Sequence, residues 1–194
     1  TDVNIYNGLV NVEGGVTYTE HAFENGFCTR CGDACTSHVM VNGFCKNGCA
    51  SVYEPATEAN DKYDVNGDGY TDQVYEIANA GQLYWFAGLV NGTLSNVQQN
   101  EHANAVLTEN IVVNENVLND DYSLNGDGSN FRVWTPIGIG YAGYSGVFDG
   151  KGHTISGLYY NDTAEYMGLI GGCWVSSKIR NVGVIDTFFH TNSN

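Results

Sequence analysis

Residues able to do chemistry crowd into positions 21–49. Five of the six cysteines lie there, together with His21 and His38. They fall into a repeat with an offset of 17: His21, Asn25, Gly26, Phe27 and Cys28 match His38, Asn42, Gly43, Phe44 and Cys45. Cys31 matches Cys49 with one extra residue. Cys35 completes a set of four in the second copy, Cys35, His38, Cys45 and Cys49, all within 15 residues. Three thiols and an imidazole at that spacing suit tetrahedral zinc. Each Asn-Gly supplies a turn that folds the ligands towards one point. The first copy offers only His21, Cys28 and Cys31, because Tyr18 stands where a fourth cysteine would be. It forms an incomplete second zinc set. Disulfides are the competing reading, since clustered cysteines in a secreted chain normally pair. Five is an odd number, however, and histidines in register with cysteines have no role in a disulfide framework. Either way the group acts as a staple for a segment with little core of its own.

A second ligand set follows in DVNGDGYTD. Asp64, Asn66 and Asp68 occupy positions 1, 3 and 5 of an EF-hand-type loop, Gly69 the tight turn, Tyr70 the carbonyl position and Asp72 position 9. Oxygen donors on alternate residues of such a loop converge on a hard cation, so calcium is expected here. Position 12 holds Tyr75, with Glu76 one residue late, and no helix pattern precedes the loop. It therefore resembles the DxNxDG loops of excalibur and thrombospondin-type modules, a junction stiffener rather than a sensor.

Catalytic chemistry leaves no comparable trace. GxSxG, HExxH and the P-loop are absent. The acids of the C-terminal part, Asp149, Asp162, Glu165 and Asp186, fall at corners, and His153 follows a turn glycine. Cys173 stands alone in an apolar run and reads as buried filling. The chain is expected not to be an enzyme.

The elements that must carry these sets are short and β-like. Residues 144–186 contain one unit written twice: Tyr144, Gly146, Val147, Phe148 and Gly150 line up with Tyr166, Gly168, Leu169, Ile170 and Gly172 at an offset of 22. Thr154, Ile155 and Leu158 line up with Lys178, Ile179 and Val182 at 24. Short apolar strands with Gly corners at that period point to a solenoid, in which each coil covers the inner face of the last. The expected fold is mainly β: a right-handed parallel β-helix over 77–194 with Val147, Phe148, Ile155, Leu158, Leu169, Ile170, Ile179 and Val182 inside. One helix is expected, capped by Asn79, with Ala80, Leu83, Phe86, Ala87 and Val90 on its apolar side and Asn91-Gly92 at its end. It would cap the first coil. Residues 1–50 hold lead strands and the Cys/His module. Residues 51–76 read as a linker with the calcium-type loop.

The run GVFDGKGHTISGLYYND, then MGLIG and IRNVGVID, resembles the GLUG-type repeats of bacterial surface proteins. YEIANAGQLYWFAGLVNG, ANAVLTENIVV and WTPIG fit the lead-in of such repeats, so the resemblance spans about residues 75–189. The Cys/His layout is similar to small modules found in tandem in anaerobe surface proteins. These likenesses imply a secreted or wall-attached bacterial protein and no particular activity.

Charge narrows the partners. A formal net charge of −15 with only 7 Lys and Arg excludes nucleic acid and anionic membrane as natural partners. No apolar run approaches the ~20 residues of a membrane span. The expected role is a structural or adhesive module that meets a protein or glycan ligand at the cell surface, or itself in head-to-tail filaments. The alternative is a carbohydrate-active β-helix, or the front part of a larger secreted hydrolase.

Overall fold

A computed structural model describes the chain except residues 1–3, 7–8, 13–14, 19–22, 29–33, 37, 141–142, 164–165 and 192–194, with backbone alone for 4–6, 9–12, 15–18, 23 and 28. The protein is mainly β, with one short helix and several separate sheets. It divides into two compact units, Thr1–Glu54 and Pro55–Asn194.

In the first unit, β1 (Asn4–Tyr6), β2 (Leu9–Val12) and β3 (Gly15–Tyr18) form an antiparallel meander. Two hairpins follow, β4 (Phe23–Glu24) with β5 (Phe27–Cys28), and β6 (Met40–Val41) with β7 (Phe44–Cys45).

The second unit opens with β8 (Thr57–Tyr63) antiparallel to β9 (Asp72–Ile77). Part of the expected linker is thus a strand. Its polar sequence hid it, because β8 is an outer strand whose side chains mostly face solvent and need no apolar alternation. Lys62 donates to Glu76 across the pair, and Tyr63 Oη donates to the same carboxylate at 2.7 Å.

Helix α1 (Ala80–Asn91) comes next. As expected, Asn79 caps it: the Asn79 side chain accepts from Gln82 N at 2.9 Å, and Gly92 ends it in the left-handed conformation. The expected single apolar face is replaced by burial on nearly all sides. The Phe86 ring meets Tyr75, Tyr144 and Phe148, while Tyr84 packs edge-on against Trp134 and donates to Val133 O at 2.9 Å.

The remaining strands are β10 (Asn104–Leu107), β11 (Ile111–Val112), β12 (Val147–Asp149), β13 (Thr154–Ser156), β14 (Tyr159–Asp162), β15 (Lys178–Arg180), β16 (Gly183–Ile185) and β17 (Phe188–Thr191). They pair in three parallel ladders: β9–β10–β12–β15, β11–β13–β16 and β14–β17. Parallel bridges join Val133 to Tyr159, Ile137 to Ile170 and Tyr144 to Cys173. Residues 104–144 therefore lie beside 147–173, and the start of that segment beside 178–191, strand for strand in the same order. Phe148, Ile155, Leu158, Trp134, Ile137 and Tyr144 are fully buried between them.

The register differs from the one expected. Val147 and Phe148 face Lys178 and Ile179, and Ile155 faces Val184, whereas Ile170 faces Ile137. The repeated Gly-apolar-apolar-Gly wording belongs to two different positions along the ladders, so the 22- and 24-residue offsets do not mark neighbours. Asp149 helps fix the true register. Its buried carboxylate accepts from Asn181 Nδ2 at 3.0 Å, Lys151 N at 2.9 Å and Arg180 Nε at 2.9 Å. Burial pushes this acid up, but those donors outweigh it and hold the group below its ordinary value.

Of the residues expected inside, Val147, Phe148, Ile155, Leu158 and Leu169 are buried, and Ile170 and Val182 are half-buried. Ile179 is 38% exposed, because β15 is the outermost strand of its sheet among the described residues. Among the described residues no helix is long and apolar enough to cross a membrane.

Candidate metal centre

The two Asn-Gly hairpins are built alike. Asn25 and Gly26 have φ of 51° and 82°, and Asn42 and Gly43 have 50° and 75°. Two left-handed residues in succession make the tight turn whose twist matches the flanking strands. Phe23 pairs with Cys28 and Met40 with Cys45, so each turn places its cysteine at the same point of the hairpin. The hairpins are tied together at Gly26, whose N donates to Asn47 O at 3.0 Å and whose O accepts from Cys35 N at 2.7 Å. Gly48 turns the chain after Cys45 and returns Cys49 towards it, with Gly48 N donating to Cys45 O at 3.0 Å.

These turns bring the predicted set of four together. The ligand atoms of Cys35, His38, Cys45 and Cys49 all lie within 4.8 Å of one another. Cys35 Sγ is 3.6 Å from His38 Nδ1, His38 Nδ1 is 3.4 Å from Cys45 Sγ, and Cys45 Sγ is 3.4 Å from Cys49 Sγ. Zinc–ligand lengths of about 2.3 Å to sulfur and 2.0–2.1 Å to nitrogen put tetrahedral neighbours about 3.8 Å (S–S) and 3.6 Å (S–N) apart. Cys35–His38 matches that spacing, His38–Cys45 and Cys45–Cys49 are a few tenths of an ångström tighter, and no pair exceeds 4.8 Å, so a zinc ion fits with modest movement. Asn47 Nδ2 donates to Cys35 Sγ at 3.2 Å, an outer contact of the kind that orients a thiolate ligand.

The titration of the thiols agrees with a shared cation. Burial pushes Cys45 up, but hydrogen bonds from His38 and the Asn47 backbone reverse this and bring it down to about 6. Cys49 is pushed up to about 12, first by burial and then by its hydrogen bonds with Cys35 and Cys45. The cluster thus favours negative charge on Cys45 and resists it on Cys49, and charge on both is favoured by a positive ion.

The disulfide alternative fails on geometry among the described residues. No disulfide joins Cys35, Cys45, Cys49 or Cys173, and the 3.4 Å between Cys45 and Cys49 sulfurs far exceeds the ~2.05 Å bond. The set Cys35, His38, Cys45 and Cys49 could hold a metal such as zinc. In the incomplete second set, His21 and Cys31 lie outside the described residues, and Cys28 is described by its backbone alone. Cys173, expected as buried filling, is exposed. It sits on a bridge to Tyr144 and begins a stretch, 173–176, that is exposed throughout, so the apolar run does not mark a buried strand.

The loop 64–72 is closed by its own hydrogen bonds. Asp64 accepts from Gly67 N at 2.6 Å and Gly69 N at 2.9 Å, and Asp72 accepts from Val65 N at 2.8 Å. Asn66 turns its side-chain nitrogen towards Asp68 at 3.1 Å and Asp72 at 2.8 Å, where a cation would want its oxygen. Tyr70 is 77% exposed. Asp64, Asp68 and Asp72 do not gather into a ligand group, so the geometry gives calcium no support. The amides of Gly67 and Gly69 instead hold the Asp64 carboxyl below its ordinary value. A depressed carboxyl contributes stability above its unfolded pKa, which is lost as pH falls through its folded one. Asp64→Ala is therefore expected to lower the melting temperature at pH 7 in calcium-free buffer and to flatten the acid limb of the stability curve. An unchanged melting temperature would show that the loop does not depend on Asp64.

Two features have no plain sequence signal. Lys178 Nζ donates to Asn66 O at 3.2 Å and Arg180 Nη2 to Val65 O at 3.2 Å, tying β15 to this loop across more than a hundred residues. Ser145 Oγ lies 2.5 Å from His102 Nδ1, with Glu101 3.7 Å from the far ring nitrogen. The His102 side chain is 75% exposed, and the Ser145 hydroxyl and amide both reach Glu101 O, the pattern of a solvated corner.

Comparison with protein-family models, curated proteins and solved structures returns no match.

Proposed function

We propose that this chain is a non-catalytic structural and adhesive module of a secreted or surface-anchored bacterial protein. In this reading residues 77–194 wind as a right-handed parallel β-helix, α1 caps its first coil, and zinc staples the Cys/His segment ahead of it. The module would present a regular surface to a protein or glycan, or stack on itself.

The observation that supports it is the difference between the two ends of the ladders. At one end β8 carries Glu58, Asp61 and Lys62 and a register break, devices that discourage further pairing. At the other, β15, β16 and β17 have no partner on their far side among the described residues, and Ile179, Val184 and Ile185 are 38%, 40% and 52% exposed. A blunted end and an apolar open end suit pairing through the open end alone, with a second copy set end to end or with a strand of another protein.

Sizing by light scattering tests this. The wild-type mass should rise between micromolar and millimolar concentration, and Val184→Lys with Ile185→Lys should hold it at the monomer while far-UV dichroism stays unchanged. A wild-type mass that never rises sinks self-assembly. The enzyme alternative needs paired carboxylates, and assays on neutral and acidic polysaccharides test it directly.

A further inference from the structure

A cleft of about 550 Å³ opens in the second unit, where residues 133–140 pass beside Tyr160, Asp162 and Tyr166. That volume is within the ~300–1,000 Å³ of small-molecule sites. It is lined by Trp134, Pro136, Ile139, Tyr160, Asp162 and Tyr166, and among the described residues no Lys, Arg or His lines it. Trp134 is fully buried and its Nε1 donates to Gly168 O at 3.0 Å, so the indole braces the cleft from behind and offers it no open surface. Ile139 and Tyr166 are each 36% exposed and form an apolar rim.

Two polar groups sit in this apolar surround. Tyr160 is 6% exposed, yet its hydroxyl has no hydrogen-bond partner among the described residues. Tyr160 belongs to the lining of the cleft. A mostly buried phenol in a cleft wall, with no partner for its hydroxyl among the described residues, can donate to a ligand there. Burial, and then the charge of Asp162, push it upward in pKa, so it is a proton donor at neutral pH. Asp162 uses one oxygen, Oδ1, on the Thr163 amide and hydroxyl; its Oδ2 accepts nothing among the described residues.

We propose that this cleft binds an uncharged pyranose unit of a glycan, its C–H face on the exposed rim formed by Tyr166 and Ile139 and its hydroxyls on Tyr160 Oη and Asp162 Oδ2. The chemistry selects that class. A carboxylated, sulfated or phosphorylated sugar would meet Asp162 with no cation to offset it, in a chain of net charge −15. A wholly apolar ligand would bury Tyr160 and Asp162 without partners. A pyranose has both an apolar face and donors in the ring plane. The inference rests on the glycan-binding part of the proposed function and does not need self-assembly.

The test uses the full chain, with neutral methyl glycosides and short oligosaccharides of glucose, galactose, mannose and N-acetylglucosamine. Uronic-acid oligomers and phenethylamine serve as charged probes. Saturation-transfer NMR identifies binders and calorimetric titration gives Kd. At least one neutral sugar should bind and the uronates should not. Tyr160→Phe, which removes only the oxygen, should weaken binding about threefold to tenfold, and Tyr166→Ala, at the exposed rim, should weaken it too. Failure of every neutral sugar overturns the proposal. So does binding unchanged in both variants, uronate binding as tight as neutral, or phenethylamine binding that Asp162→Asn abolishes while sugars stay inert. A monomer that binds neutral sugar would remove the filament reading and keep the cleft.

Discussion

Replacing Cys45 with alanine is expected to remove one equivalent of bound zinc per chain and to leave the Cys/His hairpins without a cooperative fold. The apolar side chains buried in Thr1–Glu54 are, among the described residues, Phe44 and Cys45. For the described hairpin β6–β7, Phe44, Cys45 and a Phe44–Tyr53 edge contact are a small apolar set against the conformational entropy of the ordered chain around them. A structural zinc offsets that entropy, since its binding free energy of about 10–16 kcal/mol in small zinc modules at neutral pH is also folding free energy. Excess chelator should reproduce the variant, and Cys173→Ser should change nothing, because that thiol is exposed and stands outside the set.

Acid should act in the same direction as chelator. Metal must displace thiol protons, that of Cys49 most of all since its thiol is pushed up to about 12. Zinc affinity therefore falls as pH falls. Elemental analysis and amide dispersion in NMR report both effects. Protein purified under reducing, metal-replete conditions without zinc, and with its hairpins intact, would rule the staple out.

The second large effect is expected at Gly157, in the turn after β13. Its φ is +78°, and a Cβ there would overlap the backbone carbonyl oxygen of Asn114 in the neighbouring segment. Asn114 is itself pinned, with Nδ2 donating to Gly157 O at 2.7 Å and Oδ1 accepting from Arg132 N at 2.8 Å. Backbone cannot yield as a flexible side chain would. Gly157→Ala should cost about 3 kcal/mol or more, from left-handed strain plus the overlap. Gly126→Ala is the control. Its φ of +74° is similar, but a Cβ there meets nothing within 4 Å, so only the ~1–2 kcal/mol of strain should appear. Denaturant titration of both variants measures the difference. Equal losses would mean that the segments do not approach as closely as described.

How far the sequence carried the structure depended on how local each signal was. The Asn-Gly turns, the Asn79 cap and the grouping of Cys35, His38, Cys45 and Cys49 follow from contacts within a few residues, and all were readable. The parallel pairing was foreseen, but its register was not. Gly168-Leu169-Ile170 looks like Gly146-Val147-Phe148, yet the ladder partner of Phe148 is Ile179. That choice is made by Asp149 reaching Arg180 and Asn181, a tertiary contact that repeat wording does not encode. β8 was missed because an outer strand exposed on both faces has no alternation to read. The calcium spacing was present, but the oxygens are taken by the loop's own amides, a choice that depends on backbone geometry and not on residue types. The Tyr160 cleft needed residues 133–140 beside Tyr160, Asp162 and Tyr166, and nothing local announces it.

The account rests on neighbouring segments lying parallel in one shared order, and amide-to-Hα nuclear Overhauser effects in labelled protein read that order directly. Cross-peaks should connect Val147–Asp149 with Lys178–Arg180 and Thr154–Ser156 with Gly183–Ile185, in the parallel pattern. Peaks that instead join Val147 and Phe148 to Leu169 and Ile170, or that follow an antiparallel pattern, would contradict it.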